Sequence, residues 1–238
     1  MTYTILAKCP QSGRFGVATA SFSICVGLHC DGAARSNTGV SFTQGSFRDA
    51  NNRLAMNLIA QGYSARQALG ELLANDPQSD FRHIGIIDRE GMIQVHVGKR
   101  IAQSSLHRVG DGYAVLGDMV AGEKVIDAIA NAYDSMGNLD LEERLLAALE
   151  SGRDAGGIQG SKGRLPERSV ALVVFGKRDF SDVDLRVDMH TAAVDELRRL
   201  YTDYKPHEAY YLQRALSPRN AIPSMEFADM LKKEEIAK

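Results

Sequence analysis

The first fifty residues of the chain show the two-residue alternation that is typical of β-strands. Residues 2–8 alternate and are rich in β-branched and aromatic side chains, which predicts a strand at the very start. Residues 15–21 have the same character, and a proline and a glycine in residues 10–13 predict a tight turn, so the two strands should form a hairpin. Residues 22–37 lack a clear period and are expected to be a long connection with a short helical turn, before a third strand over residues 38–44.

Beyond residue 46 the apolar positions change to the period of amphipathic helices. In the first helical stretch, Ala50, Leu54 and Leu58 fall on one stripe and are expected to face the core. Ser64 and Gln67 have the spacing of a capping box at the start of the second stretch. Helices are predicted over residues 47–61, 64–75, 122–136, 140–149 and 194–204.

The remaining strand candidates differ in how much of their surface should be buried. Residues 170–175 are apolar throughout, as in a strand buried on both faces, whereas residues 183–188 alternate and should have one solvated face. The glycine-rich stretch over residues 151–164 is expected to be a flexible surface loop. The other predicted strands cover residues 84–87, 92–97, 104–109 and 113–116.

Strands and helices follow one another in blocks, which argues against a doubly wound parallel sheet. Two antiparallel sheets stacked face to face, with helices outside each, use every predicted element. We therefore predict an α+β fold, a four-layer α-β-β-α sandwich, over residues 1–204. Residues 205–238 should be a helical C-terminal extension in two pieces, broken by Pro218 and Pro223.

Composition narrows the classes of protein to which the chain can belong. A net charge of −2, from 28 basic and 30 acidic residues, gives no field that would recruit nucleic acid or an anionic membrane. No apolar run approaches the length of a membrane span, and no signal-peptide pattern opens the chain. Three cysteines in a chain large enough not to need disulfides indicate a cytoplasmic location.

The position of Thr2 suggests chemistry. A threonine hydroxyl is a weak nucleophile until a base removes its proton. If Met1 is removed, the α-amine of Thr2 becomes free, and such an amine has a reference pKa of about 7.7–8.0, so a useful fraction of it is the free base near neutral pH. Thr2 could then supply both the nucleophile and the base.

Several blocks of the sequence, in order, resemble the domain of unknown function 1028 family. This resemblance implies an N-terminal nucleophile (Ntn) hydrolase-like fold, whose superfamily typically cleaves amide bonds with the first residue of the mature chain, and Thr2 occupies that position. The resemblance extends over about residues 2–203. The blocks are residues 2–7, 16–21, 39–44, 82–88, 112–118, 168–174 and 184–188.

The positions of other polar residues suggest the rest of the site. Ser21, Thr43 and Gln44 end strands that should neighbour the first, so we expect them to position substrate or to donate to an oxyanion, with strand-end capping and turn hydrogen bonds as the alternative role of each. Asp118 and Arg168 are further candidates for substrate binding. The family commonly has Asn and Gln at these two positions, and a carboxylate at 118 would repel an oxyanion rather than stabilise it.

Two functions from different classes remain open at this stage. The first is a small-molecule amide hydrolase that acts through an acyl-Thr2 intermediate, and the second is a non-catalytic binding or assembly protein on the same scaffold. No cofactor is implied, because protein groups fill every role. Cys25, His29 and Cys30 lie close together, but no second ligand pair has zinc-site spacing, so no metal site is predicted. The tyrosine pair at 210–211 favours a homodimer, and the substrate cannot be identified.

Overall fold

The computed structural model describes residues 1–101 and 105–236. It divides into two compact units, Met1–Arg198 and Arg199–Lys238, which are described separately. The strands are β1 (Thr2–Lys8), β2 (Phe15–Ser21), β3 (Ala34–Arg35), β4 (Gly39–Gly45), β5 (Arg82–Asp88), β6 (Ile93–Val97), β7 (Leu106–Gly110), β8 (Tyr113–Asp118), β9 (Ile158–Gly160), β10 (Gly163–Leu165), β11 (Ser169–Phe175) and β12 (Val183–Val187). The α-helices within the described residues are α1 (Asp49–Ala60), α2 (Ala65–Asn75), α3 (Glu123–Ser135), α4 (Leu141–Asp154), α5 (Ala193–Leu216) and α6 (Ser224–Ile236).

The strands of the first unit form two larger antiparallel sheets and one small hairpin. The first sheet has the order β12-β11-β2-β1-β8-β7, so β1 lies in its interior with β2 and β8 as neighbours. The second sheet has the order β3-β4-β5-β6. The hairpin pairs β9 with β10. The chain is therefore a mixed α+β protein with antiparallel sheets.

Apolar side chains from both large sheets share one core cluster. Leu6 and Val17 of the first sheet belong to it together with Val40 and Phe42 of the second. A Cβ atom at Gly85 would lie 2.5 Å from a methyl group of Leu6, so the absence of a side chain lets the two sheets approach closely at this point.

The helices cover the other faces of the sheets. Against the first sheet, the Tyr3 hydroxyl donates a hydrogen bond to the carbonyl oxygen of Leu149 in α4, at 3.3 Å. Against the second sheet, Ile84 and Ile86 of β5 share a buried cluster with residues of α1 and α2. Among the described residues, no helix is both long enough and apolar enough to cross a lipid bilayer.

Most of the predicted elements are present. The strands β1 and β2 and the hairpin of β5 with β6 lie where the alternation placed them. Ser64 caps α2, and it forms the predicted reciprocal capping box with Gln67. The strand β12 alternates between buried and exposed residues, as predicted.

Three predictions about the elements are wrong in whole or in part. In α1, Leu54 and Leu58 of the predicted stripe are partly buried against a core cluster, but Ala50 is exposed. The most buried face instead carries Asn52, Met56 and Ile59, and the Asn52 amide donates to the carbonyl oxygen of His29. Residues 151–164 are not a loop, since α4 continues to Asp154 and the hairpin β9–β10 follows. The helix predicted to end near 204 continues through Pro206. Residue 104, at the start of one predicted strand, lies outside the described residues.

The second unit contains the C-terminal part of α5, a short 3-10 turn at Pro218–Asn220, and α6. Pro218 and Pro223 both fall between the two helices, as the sequence predicts. The rings of Tyr210 and Phe227 stack with their centroids 3.9 Å apart, and the Tyr210 hydroxyl donates to the carbonyl oxygen of Ile222 at 3.2 Å. These contacts hold the two helices of the unit against each other.

Candidate functional site

The start of β1 lies in a row of polar residues that crosses the first sheet. Thr2 is paired with Ser21 of β2 on one side and with Asp118 of β8 on the other. Because directly paired residues in a sheet project to the same face, the three side chains share one face. Leu6 lies four residues further along β1 on that same face and belongs to the core between the sheets, so this face is the one directed at the second sheet.

A second polar pair approaches this row from the other sheet. Gln44 at the end of β4 is paired with His83 near the start of β5. The Gln44 amide nitrogen donates to the Asp118 carboxylate at 2.7 Å and to the Thr2 carbonyl oxygen at 3.3 Å. The Gln44 amide oxygen accepts from the Thr4 hydroxyl at 2.6 Å. One buried glutamine thus connects the two sheets at Thr2.

His83 and Asp118 form a buried pair at the centre of the site. Nδ1 of His83 lies 2.8 Å from Oδ1 of Asp118, and the two residues are 0 % and 2 % exposed. Burial by itself would raise the pKa of Asp118, but hydrogen bonds from His83 and Gln44 and the charge of His83 outweigh it, so the pKa is lowered from its usual value. Asp118 therefore provides a fixed negative charge beside the first strand.

The Thr2 hydroxyl is held by Ser21. The two hydroxyl oxygens are 3.0 Å apart. The Ser21 hydroxyl donates to the carbonyl oxygen of Met1 at 3.1 Å, which leaves its oxygen to accept from Thr2 and from the backbone N–H of Ser23. The backbone N–H of Phe22 also donates to the Met1 carbonyl oxygen, at 3.1 Å. Two donors therefore converge beside the nitrogen of Thr2.

The terminal amine of Met1 is in a partly desolvated place. Burial lowers the pKa of this amine from 8.0, and the negative charge of Asp118 acts in the opposite direction. A lowered pKa means that more of the amine is unprotonated at neutral pH. The surroundings therefore favour the unprotonated form of this Met1 amine, with Asp118 limiting the effect.

Thr43 is not brought into this site. It precedes Gln44 in β4, and successive side chains of a strand project to opposite faces, so Thr43 faces the helices when Gln44 faces the first sheet. Its hydroxyl is buried, and no described residue is its hydrogen-bond partner. Its strand β4 does not pair with β1, since it belongs to the second sheet, but it lies across the shared core from β1, and its Gln44 amide donates to the Thr2 carbonyl oxygen.

Arg168 reaches the site through its backbone. Its N–H donates to the carbonyl oxygen of Ser21 at 2.7 Å, while its guanidinium lies 5.3 Å from the centre of the Phe22 ring. Next to it, the Ser169 hydroxyl donates to the carbonyl oxygen of Ser23 at 2.6 Å. These bonds fix the loop that carries Phe22, and sequence reasoning missed the contribution of Ser169.

His83 is the main residue of the site that the sequence analysis does not single out. Its Nε2 atom is buried and has no hydrogen-bond partner among the described residues. Its ring lies edge-on to that of His107, with centroids 6.1 Å apart. No local pattern indicates its role, because the helices α1 and α2 separate β4 from β5 in the sequence, so the pairing of His83 with Gln44 is visible only in the fold.

A cavity of about 170 Å³ adjoins the end of the row. Met1 and Asp118 line it on the side of the first sheet, and Ser46 and Arg100 line it elsewhere. Removal of Met1 would enlarge this cavity towards Thr2. Across residues 1–101 and 105–236, no group of three or more His, Cys, Asp or Glu side chains is placed to hold a metal ion.

Comparison with known proteins gives a family and a related fold. A family model described as "Family of unknown function (DUF1028)" matches residues 2–197. The crystal structure of protein SPO2555 from Silicibacter pomeroyi, attributed to the same family model, superposes with a TM-score of 0.74. The two chains are 24 % identical, and the match covers 86 % of this chain and 89 % of that one. A search of functionally curated proteins gave no match.

Proposed function

Because the chain belongs to the DUF1028 family, and because of how Thr2 is placed, we propose that it is an amide hydrolase of the N-terminal nucleophile type acting on a small molecule. In this proposal Thr2 becomes the first residue after removal of Met1. Its hydroxyl is the nucleophile and its α-amine is the general base. The observation that carries the proposal is the buried Thr2 hydroxyl at the start of β1, which is hydrogen-bonded to Ser21; Met1 before it and its paired residue Asp118 line a cavity.

The arrangement of layers supports this proposal. Helices α3 and α4 lie on the first sheet, α1 and α2 lie on the second, and the two sheets share the core cluster that contains Leu6 and Phe42. We propose that this is the four-layer α-β-β-α sandwich of Ntn hydrolases. In such a sandwich the first strand is interior, and its first residue lies at one end of the space between the sheets.

The hydrogen bonds around Met1 suggest how an oxyanion would be stabilised. Once Met1 is removed, the N–H of Phe22 and the hydroxyl of Ser21 lose the carbonyl oxygen to which they now donate. Both donors then point to a position beside the Thr2 nitrogen. We propose that the carbonyl oxygen of the substrate takes this position, where two preorganised donors stabilise the developing negative charge.

The reaction then follows in two steps. The Thr2 amine takes the hydroxyl proton, Oγ1 attacks the substrate carbonyl carbon, and the amine product leaves after accepting that proton. Water then attacks the acyl ester on Thr2, which restores the hydroxyl and releases the acid. Gln44 and Asp118 orient the site and take no part in the bond changes. Gln44 donates a hydrogen bond to the Thr2 carbonyl oxygen, and Asp118 accepts hydrogen bonds from Gln44 and His83.

The second candidate is a non-catalytic binding protein, and one observation favours it. The carbonyl oxygen of Met1 accepts two hydrogen bonds, so retention of Met1 is stabilised in the folded chain. With Met1 retained, the Thr2 nitrogen is an amide and the proposed base does not exist. The cavity beside Asp118 would remain available to bind a ligand.

Turnover of small amides by three forms of the chain separates the two candidates. Thr2→Ala removes the nucleophile and should lower the rate by roughly a thousandfold or more. Thr2→Ser keeps both a hydroxyl and an α-amine and should retain measurable turnover, which makes it the matched control. Equal turnover by the wild-type and Thr2→Ala proteins would overturn the hydrolase proposal, and the absence of turnover in every form would favour the binding protein.

A further inference from the structure

Two opposite charges line the cavity beside Thr2. Asp118 is buried and stays anionic because His83 and Gln44 donate hydrogen bonds to it. Arg100 is exposed, and its guanidinium lies 4.5 Å from the centre of the Phe81 ring, a distance typical of a cation–π contact. Since both residues line the same cavity, a ligand there meets an anion at its buried part and a cation at its exposed part.

The charge of Arg100 is available for a ligand. Within residues 1–101 and 105–236, its guanidinium forms no ion pair and donates no hydrogen bond. Its backbone N–H donates to the carbonyl oxygen of Asp80 at 2.8 Å, which fixes the position of the residue. Stacking on Phe81 limits the freedom of the side chain, so less entropy is lost when its donors engage a carboxylate.

The backbone around the cavity is strained in the way that functional sites often are. Met119, directly after Asp118, has a φ of 56°, a left-handed conformation that is unfavourable for a residue other than glycine. Gly45 on the cavity wall has a φ of 83°, and a Cβ atom there would lie 2.8 Å from the carbonyl oxygen of Phe81. These two turns bring the ends of β8 and β4 together around the cavity.

The size and the charges define a ligand class. A volume of about 170 Å³ is well above the roughly 10–15 Å³ that a cavity needs to hold one water, so it has room for a small polar molecule. Asp118 is paired with Thr2 in the sheet, so a cationic group at Asp118 lies next to the proposed nucleophile. A carboxylate is the natural partner of the Arg100 guanidinium.

We propose that the cavity binds small zwitterions of dipeptide size, with the ammonium group at Asp118, the carboxylate at Arg100 and the amide between them at Thr2. This inference rests on the proposed function only for the location of the amide to be cleaved. The binding of the two charged ends follows from Asp118 and Arg100 alone.

Three probes that share one central amide group test the proposal. Glycylglycine has both charges, N-acetylglycine lacks the ammonium group, and glycine N-methylamide lacks the carboxylate. Their dissociation constants would be measured by ligand-observed NMR on full-length Thr2→Ala protein, in which the proposed nucleophile is absent, so binding is separated from turnover. Alanine analogues of the same three compounds would serve as a second series.

The expected result is that the zwitterion binds at least about tenfold more tightly than either analogue, since each charged hydrogen-bonded contact is worth about one factor of ten or more. Arg100→Gln should remove the preference over glycine N-methylamide, and Asp118→Asn the preference over N-acetylglycine. Lys99→Gln, which changes the exposed neighbour of Arg100, should leave both preferences intact.

Equal binding of the three probes in both series, or no detectable binding of any zwitterion, would overturn the proposal. So would a preference over glycine N-methylamide that persists in Arg100→Gln, or a preference over N-acetylglycine that persists in Asp118→Asn. Each preference is a ratio measured on one protein, so it does not depend on the stability of the variant. If the preferences hold but no form of the chain hydrolyses an amide, the hydrolase proposal fails and the ligand class stands.

Discussion

Replacement of His83 by alanine probes the buried pair that anchors the site. His83 is fully buried, and its Nδ1 atom lies 2.8 Å from the Asp118 carboxylate. Without the imidazole, Asp118 keeps the hydrogen bond from Gln44 but loses its other strong donor. Removal of one partner from a buried charged pair typically costs about 3–5 kcal/mol. In a chain of this size, that loss should lower Tm by roughly 6–20 °C, at about 2–4 °C for each kcal/mol.

The effect should depend on pH in a defined direction. Burial alone would raise the pKa of Asp118, but the hydrogen bonds from His83 and Gln44 prevail and lower it. A carboxyl group whose pKa is lowered by folding stabilises the folded state above its ordinary pKa of about 3.9, and this contribution is lost as the pH falls through the folded-state value. The stability difference between the wild-type and His83→Ala proteins should therefore be largest at neutral pH and shrink on acidification below about pH 4.

Urea unfolding and thermal melts at pH 7 and at acidic pH would measure these quantities. His107→Ala is the matched control, because its ring lies near that of His83 but the residue is exposed. We expect this control to change the free energy of unfolding by less than about 0.5 kcal/mol. A His83→Ala protein within about 1 kcal/mol of wild type at pH 7 would refute the reasoning, as would a difference that grows on acidification.

Three further predictions concern other parts of the first unit. Gly39→Ala should destabilise the protein by roughly 2 kcal/mol or more, because the new Cβ atom would lie 2.4 Å from a backbone carbonyl oxygen. Gly70→Ala, in an open position of α2, should instead stabilise the protein by about 0.5–1 kcal/mol. Urea unfolding measures both changes, and equal effects of the two variants would contradict this prediction. Ser64→Ala should cost about 1 kcal/mol in the same assay through loss of the α2 cap, and an unchanged unfolding midpoint would contradict the capping role. Burial raises the pKa of the Cys30 thiol to about 12, so iodoacetamide should modify exposed Cys25 in the native state and Cys30 only after unfolding. Mass spectrometry would locate the modified cysteines, and modification of Cys30 in the native state would contradict the prediction.

Local patterns were sufficient to predict much of the fold. The hairpin that pairs β1 with β2 follows from alternation and turn residues, and it already places Ser21 beside Thr2. The stop predicted for α5 was wrong because a proline usually ends a helix, and here Pro206 lies inside it. Likewise, Asn52 is buried in α1 because its amide finds a carbonyl oxygen in a distant loop, which no local pattern reveals.

The sequence predicted only those contacts of the site that form between neighbouring segments of the chain. Gln44 is expected near Thr2, but its hydrogen-bond partner Asp118 comes from β8 of the other sheet, and its paired residue His83 comes from β5, which two helices separate from β4 in the sequence. Thr43 is expected at the site because it lies near the end of a strand beside the first, yet a strand turns adjacent side chains to opposite faces. Packing of the core sets the position of one sheet relative to the other, so the periodicity of the sequence cannot predict which residues meet between the sheets.

The most direct test of the proposed Thr2 chemistry is one intact-mass measurement. The chain would be expressed with an untagged N-terminus, incubated with a small β-lactone that can acylate a reactive hydroxyl, and weighed beside its Thr2→Ala variant. The proposal predicts a wild-type mass that is short by one methionine and increased by one acyl group, with no acyl group on Thr2→Ala. A wild-type mass that retains Met1, or an acyl group that persists in Thr2→Ala, would contradict it.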